Sequence, residues 1–248
     1  MEQFLIVCPL VFLAGLIDAI AGGGGLISLP AYMLAGVPAH MALATNKLSS
    51  SMGTVVSTAR FAKNGFMDFK SALCCAAMAL VGSAIGANLA LIVSESVIEH
   101  MMLIALPIVA FYVLRDKKFG EKERKHQIST KMAFLISLAA ALIIGCYDGF
   151  YGPGTGTFLL LVLVSIAGYG VQEASGLTKA TNLASNVAAL VTFIINGKVI
   201  YPLGLIAGLF CIAGHYIGAG MVLNNGQKIV RPVIIIVLAL LFIKILWP

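Results

Sequence analysis

Runs of about twenty mainly apolar residues recur along the chain, separated by short stretches carrying Gly, Pro, Asn and charge. That length matches the hydrocarbon core of a bilayer when the run is helical. The pattern predicts spanning helices at 4–21, 41–61, 72–93, 97–114, 132–147, 175–195, 203–223 and 230–246. Two further apolar pieces, 26–34 and 157–167, are too short to cross unless they tilt or re-enter. The first run lacks a basic start and is followed by GGGG instead of a small-residue cleavage site, so it is expected to stay in the protein as a helix.

Comparing the chain with itself sharpens this picture. GLIDAIAGGGGLISLP, from Gly15, is answered by GCYDGFYGPGTGTFLL, from Gly145, with Gly15, Asp18 and Gly22 matching Gly145, Asp148 and Gly152. Farther on, Thr45-Asn46 matches Thr181-Asn182, Asn64-Gly65 matches Asn196-Gly197, and Gly82 and Gly86 match Gly214 and Gly218. Order kept over this many positions marks a duplication. The fold expected is an all-α polytopic membrane bundle of two homologous repeats, each with a Gly-broken helix. The chain divides into a first transmembrane repeat at 1–114, a basic linker at 115–131 and a second repeat at 132–248.

Composition agrees with a lipid solvent: 60% of residues are hydrophobic and 10% charged, with a mean hydropathy of +1.02. The formal net charge of +6 comes largely from the linker, where a basic loop acts as an orientation signal and not as a nucleic-acid site. Arg60, Lys63 and Lys70 flank another connection, and SESVIEH, from Ser94, is acidic, so the first repeat is expected to end in the cytoplasm. In the second half the stretch from Asn224 to Arg231 is more basic than the turn at Asn196. Two arrangements follow: five-plus-five inverted repeats if both short pieces return through the membrane, or four-plus-four parallel ones.

Chemistry concentrates at the breaks. Each Gly costs about 1 kcal/mol relative to Ala inside a helix, so Gly22, Gly23, Gly24 and Gly25 interrupt one segment. Gly152, Gly154 and Gly156, with Pro153, do the same in the second half. Unwound backbone at membrane depth must be buried or line a wet cavity, where a resuming helix start favours an anion. Close packing through small residues is the other reading, and the preferred one for Gly82/Gly86 and Gly214/Gly218.

Asp18 and Asp148 are acids within apolar stretches and therefore candidates for ion coupling, or else caps of the broken segments. Thr45, Asn46 and Lys47, with Lys179, Thr181 and Asn182, offer hydroxyl, amide and ammonium groups to an oxyanion. Ser49, Ser50, Ser185 and Asn186 extend that polar face. Both lysines could instead snorkel to headgroups. His215 lies inside a span, where packing is the simpler reading than proton sensing. Cys8, Cys74, Cys75, Cys146 and Cys211 form no CxxC pair and read as small packing residues. No metal site and no cofactor are expected.

The motifs D-x-x-x-G-G-G-G-x-x-x-x-P and A-T-N-K, followed by G-x-x-D-G-x-x-G-P-G-x-G and T-x-A-T-N, resemble the TauE/SafE family of sulfite-exporter-like membrane proteins, from about Ile17 through Trp247. The resemblance implies a multi-pass permease of the inner (cytoplasmic) membrane that exports sulfite or another small organosulfur anion. It places the family's Gly-rich motif on Gly22 to Gly25 and Gly152 to Gly156, and its T-N motif on Thr45-Asn46 and Thr181-Asn182. Leu183 stands where the first half has Lys47. No GxxxxGK[ST] loop for ATP is present, so the expected function is a secondary transporter. The expected partners are a small anionic substrate, the lipid bilayer and, as an open alternative, a second copy of the chain, with no nucleic acid. The competing readings are a metal-ion or other cation permease and, behind it, a membrane-embedded enzyme, for which the four histidines are too scattered.

Overall fold

A computed structural model describes residues 2–94, 129–226, 228–230 and 232–233. The predicted span 97–114, most of 230–246, and the linker 115–131 except its last three residues lie outside the described residues. So does most of the acidic stretch after Ser94.

The described chain is helical. Six long helices are α1 (Glu2–Ala21), α3 (Ala39–Lys63), α4 (Phe69–Ile92), α5 (Thr130–Phe150), α7 (Val171–Ile195) and α8 (Tyr201–Asn225). Two short ones, α2 (Gly25–Leu34) and α6 (Thr155–Leu161), follow the glycine breaks, and α6 runs into a π-helical turn at Val162–Ile166. These short helices coincide with the two apolar pieces expected to tilt or re-enter.

Four helices, α1, α4, α5 and α8, are long and apolar enough to cross a membrane. Their outer faces carry exposed large hydrophobics such as Leu5, Leu73, Ile143 and Leu209, a surface that only lipid tolerates. Helices α3 and α7 are just as long but more polar. They contact each other and bury Thr45, Lys47, Lys179 and Asn182 inside the bundle. Polar content thus separates these two helices from the other four, although α3 and α7 too expose apolar side chains such as Val55 and Val191.

Small residues bring the helices together in two seams. On α8, Gly214 faces Phe12 and Leu16, and Gly218 faces Leu16 and Ala19 of α1. On α4, Gly82 faces Leu142 and Cys146, and Gly86 faces Cys146 and Phe150 of α5. A methyl group at any of these four positions would press into the partner helix, so packing is what these glycines do.

Named contacts also give the direction of every long helix. Numbers rise together along both seams, so α1 runs parallel to α8 and α4 parallel to α5. Thr45 Oγ1 accepts from Ile200 N at 3.1 Å, while Gly53 meets Cys211 and His215, so α3 also runs with α8. His40 Nε2 lies 3.0 Å from Ala90 O, which makes α3 and α4 an antiparallel pair. Gln172 Nε2 donates to Leu223 O at 3.3 Å, which opposes α7 to α8. Hence α1, α3 and α8 run one way, and α4, α5 and α7 the other. The Gln3 amide donates to Ala35 O at 3.1 Å, so α2 returns to the end where α1 begins.

With directions known, charge sorts by end. Arg60, Lys63, Lys70, Lys131 and Lys228 lie toward one end of the bundle. At the opposite end Lys198 is the only Lys or Arg among the described residues.

Candidate functional site

The two glycine breaks meet. Gly22 (φ +75°) sits against Gly156 so closely that a Cβ on either would overlap the other's backbone. Only glycine satisfies both the left-handed backbone and the contact at position 22. The junction is tied across the halves: Thr157 N donates to Gly22 O at 3.2 Å, and Thr157 Oγ1 donates to Ala21 O at 2.7 Å.

Beside this junction lies a cavity lined by Asp18, Gly22, Gly25, Asn46, Lys47 and Ser50 from one half. The other half supplies Asp148, Gly152, Thr155, Gly156, Asn182 and Asn186. Its volume is about 30 Å³.

Two ion pairs flank it, Lys47–Asp148 buried and Lys179–Asp18 half-buried at the acid, and both cross between halves. Lys47 Nζ on α3 lies 2.7 Å from Asp148 Oδ2 on α5 and also donates to Asn186 Oδ1 at 2.9 Å. Ser185 Oγ adds a 2.6 Å hydrogen bond to Asp148 Oδ2. Lys179 Nζ on α7 lies 3.0 Å from Asp18 Oδ2 on α1 and also donates to the Asp18 carbonyl oxygen. The Asp18 Oδ1 accepts from Gly24 N at 3.2 Å, so this carboxylate braces the glycine turn as well as pairing. His215 Nε2 stands 3.5 Å from Asp18 Oδ2, while its Nδ1 is 2.9 Å from Ser57 Oγ. A smaller cavity of about 10 Å³ touches Asp18, Ser50, Cys211 and His215.

The expected residues therefore divide. Asn46 and Asn182 converge on one cavity although 136 positions separate them. Gly22, Gly25, Gly152, Gly156, Lys47, Asp18 and Asp148 line it with them. Thr45 and Thr181 do not; their hydroxyls hydrogen-bond Ile200 N and Leu177 O. Gly23, Gly24 and Gly154 shape the turns behind the wall, Gly154 in left-handed conformation at the start of α6. Lys179 stands behind Asp18 and is not part of the wall. Neither lysine snorkels, since both are buried and ion-paired.

Thr155 escaped the sequence reading although it sits within the GPGTGT run, where a polar side chain beside a break was the available signal. The connection of His215 to Asp18 and Ser57 also had no local signal, because it joins three helices. The Asn182 Oδ1 is buried without a hydrogen-bond partner. Such an atom is costly unless something in the cavity completes it.

The chain is similar to known proteins over nearly its whole length. The family model "Sulfite exporter TauE/SafE" matches residues 7–245. The chain is 37% identical over 235 residues to the probable membrane transporter protein ORF9 of Sinorhizobium sp., covering 95% of this chain and 89% of that protein. It is equally 37% identical over 235 residues to the probable membrane transporter protein YfcA of Escherichia coli K12, covering 95% and 86%. A probable membrane transporter protein of Haemophilus influenzae is 31% identical over 236 residues, covering 95% and 91%. No solved structure matches. A family match over nearly the whole length, together with apolar outer helices around a polar centre, leads to one conclusion: this chain belongs to the TauE/SafE sulfite exporter family, and is a multi-pass membrane transporter and not an enzyme.

Proposed function

We propose that the protein is a secondary transporter for a small anion, sulfite or an organosulfur oxyanion, which binds in the cavity where the two glycine breaks meet. The observation that carries this reading is the make-up of the wall: side-chain amides of Asn46, Asn182 and Asn186, hydroxyls of Ser50 and Thr155, and the ammonium of Lys47, drawn from both halves. Amides, hydroxyls and an ammonium can all donate hydrogen bonds to an oxyanion. Glycines at the junction let such a ligand approach the backbone.

The two halves are read as homologous repeats in inverted orientation. The support is that every motif-bearing long helix of the first half runs opposite to its counterpart: α1 against α5, α3 against α7, and α4 against α8. Sites between inverted repeats, formed by interrupted helices, are a recurrent design of secondary transporters. The concentration of Arg60, Lys63, Lys70, Lys131 and Lys228 toward one end supports a cytoplasmic placement of that end, in the inner membrane, with the linker on the same side. Asp18 and Asp148 are the groups through which transport would couple to protons.

Purified protein in proteoliposomes, loaded with labelled sulfite and then with a labelled organosulfonate, tests this directly. Export of either anion should exceed that of empty vesicles and fall to background in Lys47→Gln. Flux of Ni²⁺ or Co²⁺ without anion flux would instead favour a cation permease. A single cysteine placed in the linker should resist impermeant thiol reagents added outside intact cells.

A further inference from the structure

The two ion pairs are unequal in a way that assigns them different tasks. Lys47 and Asp148 both line the cavity, and they face it across Gly152. A Cβ at Gly152 would stand 3.2 Å from both Lys47 Nζ and Asp148 Oδ1, so position 152 leaves the pair unscreened from the cavity. In the other pair only Asp18 reaches the wall. Its lysine is held behind it, on the Asp18 carboxylate and carbonyl together, and Gly24 N and His215 occupy the remaining sides. Releasing Lys179 would unpin the glycine turn and deliver no cation to the cavity.

We propose that Lys47 is the cation that receives the anion and that Asp148 competes with the anion for it, so that each anion bound places one proton on Asp148. This rests on the anion-transport reading above. An entering oxyanion meets an ammonium whose charge is already balanced by a carboxylate. Adding a second anion to one ammonium, with little water to screen it, is opposed by direct repulsion. A proton from the aqueous phase that adds to a carboxylate oxygen of Asp148 removes the competitor and leaves a neutral acid that can itself donate a hydrogen bond. The anion then takes the carboxylate's place on Lys47. No bond within the cargo forms or breaks, and the site gains one proton with one negative charge, so a monovalent anion loads without net charge.

The groups facing Asp148 permit this exchange. From α3 comes Lys47, and from α7 the neutral Ser185 and Asn186, the latter reaching the pair through Lys47. From α4, Ser83 approaches through its hydrogen bond to Ser185 O. On its own helix Tyr147 is adjacent, its hydroxyl donating to Pro153 O at 2.7 Å, and Asp18 of α1 lies on the same cavity wall. Lys47 is thus the nearest fixed positive charge, and Asp18 is already paired.

Calorimetric titration of purified protein with methanesulfonate, which has no titrating proton near neutral pH, gives both affinity and protons taken up when run in buffers of different ionisation enthalpy. The expected result is one proton taken up per anion at pH 7 to 8, with affinity falling about tenfold per pH unit there. Asp148→Asn should bind with no proton uptake and with no dependence on pH. Wild-type binding without proton uptake overturns the proposal and leaves the anion reading intact. Absence of wild-type binding at any pH overturns both. Loss of uptake in Asp18→Asn, with uptake kept in Asp148→Asn, moves the role to the other acid. If Asp148→Asn fails to fold, uptake retained in Asp18→Asn assigns the proton to Asp148, and uptake lost in Asp18→Asn overturns that assignment.

Discussion

The pairs Lys47–Asp148 and Lys179–Asp18 each join one half of the chain to the other, yet they are built differently. In the first, lysine and acid share the wall of the cavity and are backed by side chains, Ser185 and Asn186. In the second, the lysine grips backbone as well as carboxylate, and the acid holds the Gly24 amide in the turn between α1 and α2. The lesson is that residues at near-matching positions of the two halves can part company: one lysine lies on the cavity wall, the other fastens the break.

The strongest way to break this contrast is to remove Lys179. Lys179→Met leaves the half-buried Asp18 without its main counter-charge; a lone buried charge typically costs about 3–5 kcal/mol, and a part-exposed one less. A large fall in the midpoint of thermal unfolding in detergent is expected, greater than that for Lys47→Met, because Lys179 holds the Asp18 backbone carbonyl as well as its carboxylate. Equal losses in the two variants would erase the distinction.

Next in size are the glycines. Gly22→Ala and Gly152→Ala both force alanine into left-handed backbone, at about 1 kcal/mol or more. At Gly22 the new methyl also overlaps the Gly156 backbone, adding about 1–3 kcal/mol of overpacking. Gly22→Ala should therefore melt lower, whereas Gly152→Ala should weaken anion binding more than it weakens the fold. The reverse order would mean that the junction tolerates displacement and that Gly152 does not guard the site.

Asn46→Leu and Asn182→Leu compare the halves within the cavity itself. Losing a donor to a charged ligand is worth about 1.5–3 kcal/mol, a tenfold to hundredfold loss of affinity in either half. Asn182→Leu should cost less stability, because the Asn182 Oδ1 has no internal partner to lose. Two Leu variants that bind as the parent does would remove the amides from the site. The smallest effect is expected from Ser57→Ala, which deletes the hydrogen bond with His215 Nδ1 and should lower stability by about 1 kcal/mol with proton uptake unchanged.

Much of the fold was legible because lipid imposes a simple rule. Twenty apolar residues and a break at glycine leave their mark on a window of sequence, and six described long helices and two short ones stand close to where the periodicity put them. The seams at Gly82/Gly86 and Gly214/Gly218 were readable for a related reason, since small residues one turn apart place backbones in contact. The convergence of Asn46 and Asn182 was expected from the matching T-N motifs of the two halves. The pairing of Lys179 did not: Leu183 occupies the position equivalent to Lys47, so alignment of the halves suggests that one cation is missing. Lys179, one helical turn earlier on the same face of α7, reaches Asp18 instead. Thr45 and Thr181 misled in the opposite sense, being placed beside the asparagines in sequence but turned about 100° away around the helix.

By itself the sequence determined the solvent and the helical class, because each depends on composition or on spacing along one element. The directions of the helices, the crossing of each lysine to the other half's aspartate, and the division of cavity-facing from turn-fastening lysine were decided only in three dimensions. Those features depend on contacts between residues more than a hundred positions apart, and a side chain's charge carries no record of which distant partner will neutralise it.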